Sequence, residues 1–370
     1  MKLGEVADIS YGKDLPTRKL KPAGFPVYGG NGIIGYSDEY IFEDPKIIIG
    51  CRGAYSGNIF RTKPKSFVTH NSLILNFKDK TIDESFIFYK LLCSNVKSTI
   101  TGSAQPQITI TELEQLELDL PSSEEQKRIA DILSAFDDKI EVNNKIIKTL
   151  EEMAQEIFKE WFNKNSKFKS QKSKSWETIK ISDLAWIISG YPFSSKLYNK
   201  SKEGLGVVTI KNVQDGNFIT ECDSFIEEKK IPKNMNQECL ISDGDILLSL
   251  TGNVGRVCFV YGGKYLLNQR VAKLKPKNSN DLAFIYFLFR QPDMQNLLIN
   301  MAKGSAQPNL SPVETGEIEI TVPAREILDK LNKVINPIYE KLIRLKVENQ
   351  KLATLRDLLL PKLMSGEIRV

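Results

Sequence analysis

The chain is short of the residues that build most hydrolytic and redox sites. Histidine occurs once, at His70, so no Ser/His/Asp or Cys/His set can be assembled in more than one place. The 5 cysteines, Cys51, Cys93, Cys222, Cys239 and Cys258, are scattered, without a CxxC pair. That excludes a disulfide framework and the usual zinc spacings, and it fits a reducing, cytoplasmic setting. No apolar run approaches the roughly 20 residues of a membrane span, and MKLGEVADIS lacks the apolar core of a signal peptide. Charge of one sign is missing too: 51 Lys and Arg stand against 46 Asp and Glu, a formal net charge of +5. So mild a tilt favours acidic partners without making a strongly basic surface.

What is there is repetition. The segment GSAQP occurs at Gly102 and again at Gly304, in a sequence with no low-complexity tract. KLGEVADISYG, Lys2 to Gly12, aligns without a gap on KISDLAWIISG, Lys180 to Gly190. DPKIIIGCRG parallels DGDILLSLTG, DESFIFYKLL parallels DLAFIYFLFR, and LDLP ending at Pro121 parallels ITVP ending at Pro323. The order is preserved while the offset drifts, as in a tandem duplication. At 370 residues the chain is long enough for two such copies, each with its own core.

Residues 1–121 and 176–322 are glycine-rich, with short β-branched runs such as KIIIG and SLILNF bounded by Gly, Pro, Asn and Asp. They read as strands and turns, interrupted by one amphipathic helix near 83–98 and another near 281–302. After Pro121 the text changes. Ser122 or Ser123 caps a run free of glycine and proline. Its apolar positions, Ile129, Leu133, Phe136, Ile140, Ile147, Leu150, Ala154, Ile157 and Trp161, step by four and three, and Asn143 is the one polar seam position. Some 40 residues make a rod of roughly 60 Å.

A similar stripe, Leu331, Ile335, Ile338, Leu342, Leu345, Leu352, Leu355 and Leu359, runs near the end of the chain with Asn349 in its seam. Pro337 is expected to kink or divide this helix and Pro361 to end it. If the helices pair antiparallel with Asn143 opposite Asn349, Ile147 faces Leu345, Leu150 faces Leu342 and Ile140 faces Leu352. The alternative has both asparagines facing solvent or a partner protein. Residues 164–175 carry five lysines and no acid, and read as a basic flexible linker or, secondarily, a phosphate contact.

Several signals are rejected. Gly30, Gly32 and Gly35 spell GxGxxG, but a loop and strand follow where a dinucleotide site needs a helix, so hairpin turns explain them. NPIY at Asn336 lies in a helical seam without a glycine-rich S-adenosylmethionine segment upstream. Glu227 and Lys229 form an ExK fragment without a paired acidic strand, and His70 has no ligand-spaced neighbours. No catalytic or metal-binding residue is assigned.

The polar loops offer a different chemistry. In copy one they carry Lys13, Arg18, Asn31, Arg52, Tyr55, Asn58, Arg61, Lys63, Asn71, Gln105 and Gln107. Copy two carries Tyr191, Ser194, Lys196, Lys211, Asn212, Thr251, Asn253, Arg256, Gln269, Arg270, Gln307 and Asn309. Arg suits the guanine edge, Asn and Gln the adenine edge, and Lys and Ser suit phosphates, which makes these candidate DNA contacts. Gln105 and Gln307 either contact bases or hold the domain-to-helix junction.

Taken together, KLGEVADISYG and its twin, VYGGNGIIGYSDEY, the GSAQP pair, PSSEEQKRIADIL and RDLLLPKLMSGEI resemble the specificity (S) subunits of type I restriction-modification systems. The resemblance covers essentially the whole chain. It implies an α+β fold: two mixed α/β target-recognition domains of short strands and loops, at 1–121 and 176–322, separated by two long antiparallel helices in a coiled coil, with an internal pseudo-twofold repeat. The spacer helices are placed at 122–163 and within 323–370, the latter with a C-terminal tail. It also implies a non-catalytic subunit that reads a bipartite asymmetric site in double-stranded DNA, with half-sites roughly 34 Å apart. Two modification (M) subunits supply S-adenosylmethionine and adenine methylation; restriction (R) subunits add ATP- and Mg²⁺-dependent cleavage. This chain itself needs no cofactor and no membrane. Glu141, Lys148, Glu152, Lys341 and Lys346 are candidate M-subunit contacts or, alternatively, a solvated helix surface. The start at KLGEV, without the leading segment of some relatives, implies a trimmed first domain. A stand-alone methyltransferase or nuclease, or a scaffold that binds only protein, remain the competing readings.

Overall fold

The computed structural model describes residues 1–79, 81–102, 105–162, 176–304 and 308–370. The chain divides into two units, one of Met1–Lys139 with Leu352–Val370 and one of Ile140–Lys351.

In the first unit the run KIIIG is apolar without alternation because both of its faces are covered. Ile47–Gly50 lies inside an antiparallel sheet, between Ser72–Phe77 and the short strand Ile59–Arg61; Ala7–Tyr11 pairs on the far side of Ser72–Phe77. Strand periodicity sends Ile47 and Ile49 to one side, where they join Leu73, Leu75, Phe86, Ile87 and Leu91. Ile48 and Ile74 go to the other side, against Tyr28 and Val68. Those two belong to a second sheet, in which Phe25–Gly29 pairs antiparallel with Gly32–Ser37 and parallel with Phe67–Val68. Gly30 and Gly32 thus sit in a hairpin, Gly32 at φ +85°. The helix facing the first side is Glu84–Cys93, capped by Asp83, whose carboxylate accepts from the Phe86 amide at 2.9 Å. It stops at Cys93, short of 98, and a 3₁₀ turn Val96–Thr99 follows.

The second unit is assembled in the same order. Ile246–Ser249 lies between Val271–Pro276 and Val257–Phe259, with Ala185–Ser189 outside Val271–Pro276. Ile246 and Leu248 face the helical side, and Leu247 faces a second sheet built on Leu205–Val208 and Tyr265–Leu267. The helix expected over 281–302 is two helices, Leu282–Phe289 and Pro292–Met301. Gln291, which precedes a proline, is held extended at ψ 138°, and Pro292 opens a new helix at its first turn. Leu282–Phe289 is not amphipathic: from Ala283 on every residue is buried.

Two helices of 40 residues complete the architecture, Ser123–Phe162 and Arg325–Met364. The second runs unbroken through Pro337 and Pro361, contrary to expectation. Each proline forfeits one backbone bond, to the carbonyls of Lys333 and Asp357, but burial on both sides of Pro337 and just after Pro361 holds the helical path. Ile335, Tyr339 and Leu342 bracket Pro337, and Leu363 and Met364 follow Pro361, all of them buried. The helix ends instead at Gly366, φ +74°, where the Ile368 amide returns to the Lys362 carbonyl at 3.1 Å.

Within the first unit, Ile129 and Leu133 pack in the same core as Leu363 and Met364, with Leu359 and Leu360 partly buried against it, so the helices run antiparallel. Asp137 pairs with Arg356 and accepts a 2.5 Å bond from the Tyr89 hydroxyl. Phe136 is only half-buried, and Leu355, expected in the seam, is 49% exposed. Within the second unit, Asn143 is fully buried and donates to Asn349 Oδ1 at 2.8 Å, while Asn349 donates to Asn144 at 2.9 Å. Ile147, Leu342 and Leu345 are buried nearby, with Leu150 at the margin. Further along, Phe158 and Tyr339 take the interior positions, and Ile157 and Ile338 only flank them. A straight helix of 3.6 residues per turn drifts off a strict heptad, so the buried face rotates by one residue.

Polar groups also fix the first helix to the second unit's core. Glu151 accepts from the Tyr286 hydroxyl at 2.9 Å and pairs with Arg290, whose guanidinium burial pulls down to about 10. Asp215 lies 3.6 Å from Arg290 Nε. Glu151→Ala would leave that cation buried opposite Asp215 alone. It is expected to cost about 3 kcal/mol, read as a lower urea midpoint with unchanged slope. A cost under about 1 kcal/mol would show that the pair is not holding the helix in place.

Candidate nucleic-acid interface

In each unit a glycine lets two loops meet. A Cβ on Gly12 would stand 2.3 Å from the Thr69 carbonyl oxygen, and one on Gly190 2.3 Å from that of Asn268. These glycines align in the repeat, and each lies at the end of the strand that opens its unit's four-stranded sheet. The next residue then bridges across: Lys13 with Thr69, and Tyr191 with Asn268. His70, beside this bridge, lies 3.3 Å from the Asp14 carboxylate.

A second meeting point uses GSAQP. In the first unit Ile100–Thr101 and Gln107–Ile108 form a hairpin around the segment, and Gln107 bridges Arg52. The Pro106 carbonyl accepts from the Gly53 amide at 2.9 Å and the Ser56 hydroxyl at 3.1 Å. In the second unit Asn309 bridges both Lys303 and Thr251, and the Leu310 amide donates to the Leu250 carbonyl at 2.8 Å. Pro106 and Gln107 in one unit, and Asn309 and Leu310 in the other, thus close against the loop that leaves the doubly covered central strand. Residues 103–104 and 305–307, Gln307 among them, lie outside the described residues, as do residue 163 and the linker 164–175.

The structure brings Arg52, Tyr55, Asn58 and Gln107 into one loop cluster, with Gln105 in the adjoining hairpin. Gly30 approaches Tyr55 and Asn71, which places the Asn31 turn beside it. Arg52, Gln105, Gln107 and Asn31 are exposed, and Asn58 and Asn71 half-buried. Lys13 is exposed at the other meeting point, and Arg18 in the 3₁₀ turn Thr17–Lys19. Arg61 is held by Ser85 at 3.1 Å, and the Lys63 amide by the Tyr28 hydroxyl at 3.0 Å.

In the second unit Thr251, Asn253, Arg256 and Asn309 gather at the GSAQP side. Gln269 and Arg270 are exposed in the turn after Asn268, whose amide oxygen accepts from the Arg270 backbone at 3.3 Å. Tyr191 donates to Asn234 at 2.9 Å; Ser194 and Lys196 lie in and beside the turn Ser195–Leu197. Lys211 is engaged by Asp223 at 2.7 Å. Asn212 is corrected: it is 3% exposed, accepts from the Thr209 amide at 2.9 Å and donates to the carbonyls of Ile219 and Glu221 at 2.8 and 2.9 Å. Every valence of its amide is used inside the fold, so it cannot reach a base edge.

Of the helix residues, Glu141 pairs with Lys145 at 2.9 Å and Lys148 with Glu152 at 3.8 Å along their own helix, and Lys341 is exposed. Lys346 does not lie on an open face. It donates to Asn217 at 3.0 Å over the Tyr261 ring, and burial holds its ammonium below the ordinary lysine range. Gln214, which contacts Arg256, escaped the sequence reading. Nothing in VQDG marks a residue that reaches a side chain so far along the chain. Among the described residues, no group of three His, Cys, Asp or Glu side chains is placed to hold a metal, and no helix is long and apolar enough to cross a membrane.

Comparison with known proteins adds the following. The profile of the type I restriction modification DNA specificity domain matches residues 1–152 and 173–356. Among curated relatives, the type I restriction enzyme MjaVIII specificity subunit of Methanocaldococcus jannaschii is 28% identical over 356 residues, covering 90% of this chain and 81% of the relative. The MjaIX specificity subunit of the same organism is 29% identical over 325 residues, covering 83% and 71%. The HindI specificity subunit of Haemophilus influenzae is 25% identical over 353 residues, covering 77% and 75%. Among solved structures, the type I restriction-modification S subunit of M. genitalium has a similar fold, with a TM-score of 0.66 at 21% identity over 98% of this chain and 95% of that one.

Replacing Asn212 tests the division between loop readers and loop builders. Asn212→Ala is expected to destabilise the second unit by about 2 kcal/mol, seen as a lower melting temperature, by leaving buried backbone groups unpaired. A variant of unchanged stability with altered DNA-sequence preference would return Asn212 to the candidate contacts.

Proposed function

The chain belongs to the type I restriction-modification DNA specificity family, and from that membership we propose that each of its units reads one half of a bipartite, asymmetric DNA site. The reading is carried by one observation. The two units present the same backbone bridges at their loop clusters, yet fill them with different side chains: Arg52 and Gln107 in one, Thr251 and Asn309 in the other. Equal scaffolds with unequal hydrogen-bonding groups are what two half-sites of different sequence require.

In this reading the chain is a tandem duplication. The exposed cations Lys13, Arg18, Lys63, Lys196 and Arg270 contact phosphates and set register. Arg52, Asn58, Gln107, Asn253, Arg256 and Asn309 approach base edges. The two long helices form an antiparallel coiled coil, and their outer faces, including Glu141, Lys148, Glu152 and Lys341, dock two modification subunits. Chemistry belongs to the partners: S-adenosylmethionine and methyl transfer to adenine with the modification subunits, ATP and Mg²⁺ with the restriction subunits. The chain is non-catalytic by itself and directs where those reactions happen.

Methylome mapping of the host with and without this chain tests the proposal. Deletion should remove adenine methylation at one split, asymmetric motif and leave other methylation untouched. An unchanged methylome in a host with active modification subunits would sink it. Filter binding gives a second measurement. A net charge of +5 over 370 residues makes a modest field, so the isolated chain should bind duplex weakly, and addition of modification subunits should yield tight binding that falls steeply with salt. Salt-insensitive association, or none, would favour a protein scaffold instead.

A further inference from the structure

The central strands of the two units leave matched loops, and strand pairing fixes which residues correspond. Ile49 pairs with Ile59 in the first unit, and Leu248 with Val257 in the second. One residue earlier, the Asn58 carbonyl accepts from the Gly50 amide at 2.7 Å, and the Arg256 carbonyl from the Ser249 amide at 3.0 Å. A glycine of positive φ precedes each, Gly57 at +88° and Gly255 at +81°. Asn58 and Arg256 therefore occupy one and the same backbone position in the two units.

Arg256 stands there in an unusual condition. Its guanidinium is half-buried, yet no carboxylate comes within ion-pair distance of it among the described residues, and the sequence outside them contains no Asp or Glu. Two neutral amides hold it instead. Gln214 accepts from Nη1, and Asn253, with its oxygen turned inward, accepts from Nη1 at 3.1 Å and from Nη2 at 3.2 Å. Asp215, close in sequence, is taken by Gln295 at 2.8 Å and Arg290. Amides fix the plane of the guanidinium without neutralising it, and Arg256 lines a groove of about 480 Å³ together with Asp215, Gly252, Asn253, Gln295 and Ile299. A pre-oriented guanidinium with uncompensated charge, whose Nε–Nη2 edge these amides leave unused, suits an acceptor pair from outside the protein. In the first unit the Asn58 backbone N–H donates to the Tyr55 carbonyl at 3.1 Å, while its half-buried side-chain amide has no hydrogen-bond partner among the described residues.

We propose that this position selects one base pair in each half-site, and that Arg256 specifies guanine through its O6 and N7 acceptors. Asn58, by the same geometry, offers the donor and acceptor that match adenine, so one backbone position gives the site part of its asymmetry. The inference rests on the DNA-reading function proposed above and adds a specificity-determining residue to it.

The test uses the full chain assembled with its modification subunits, acting on a randomised duplex library with S-adenosylmethionine, with methylated products sequenced. Arg256→Gln should relax a single position of the motif, a guanine in the wild-type site, with preference there falling on the order of 10- to 100-fold. The other half-site should be unchanged. Gln214→Ala, which frees the fork, should weaken discrimination at that same position. An unaltered motif, relaxation at an A·T pair, or uniform weakening at every position, the mark of a phosphate contact, would each overturn the proposal. If the glutamine variant fails to assemble, Arg256→Lys decides: it keeps the charge, loses the fork and should relax the same position, whereas an unchanged motif refutes the assignment. A wild-type complex that methylates no split motif would sink the DNA-reading function itself, a result distinct from these.

Discussion

Burial of one strand on both faces is the constraint on which the rest of this molecule depends. Ile47–Gly50 and Ile246–Ser249 each send alternate side chains into a helix-covered core and into a second sheet. A strand so enclosed has no freedom of register, because a shift of one residue would exchange its two sets of neighbours. Its end is therefore a fixed point, and the loop that leaves it, Arg52–Asn58 or Thr251–Arg256, starts from a rigid anchor. That loop is then tied from the other side, by Pro106 of GSAQP in one unit and in the other by Asn309, the residue after the second GSAQP. Rigid attachment at both ends lets short polar loops present hydrogen-bonding groups at defined positions.

Much of this was legible in the amino-acid text, because the sequence resembles itself where backbone geometry is demanding. Gly12 and Gly190 align because a neighbouring carbonyl leaves no room for a Cβ at either. The long helices were legible from their seams, and Asn143 and Asn349 do meet. What escaped depended on tertiary packing. Pro337 and Pro361 break helices in isolation, but here the flanking residues are buried deeply enough to carry the helix past both. The heptad reading placed Ile157 and Ile338 inside, whereas the real helix turns Phe158 and Tyr339 inward. The break at Gln291–Pro292 was visible as a proline but was overruled by a continuous apolar pattern.

The loop residues were the hardest to read, for a reason of chemistry. Polar side chains that build a loop and those that present themselves from it are the same types. Asn212 and Asn58 illustrate the two ends: one has every amide valence spent on backbone, the other none spent within the described structure. Only the neighbours distinguish them, and those come from distant parts of the chain. Arg256 and Gln214 likewise meet through folding, without any spacing that announces it.

One further consequence concerns the order in which the protein is made. The first unit contains both Met1–Lys139 and Leu352–Val370, and its core takes in Leu363 and Met364, with Ile368 and Val370 packed on it. The second unit is one uninterrupted stretch. A nascent chain emerging from the ribosome cannot complete the first core until Leu352–Val370 have cleared the exit tunnel, while Ile140–Lys351 can close before that. Ile129 and Leu133 can meet Phe86 and Leu91 early in synthesis, but Leu363 and Met364 join that core only at its close.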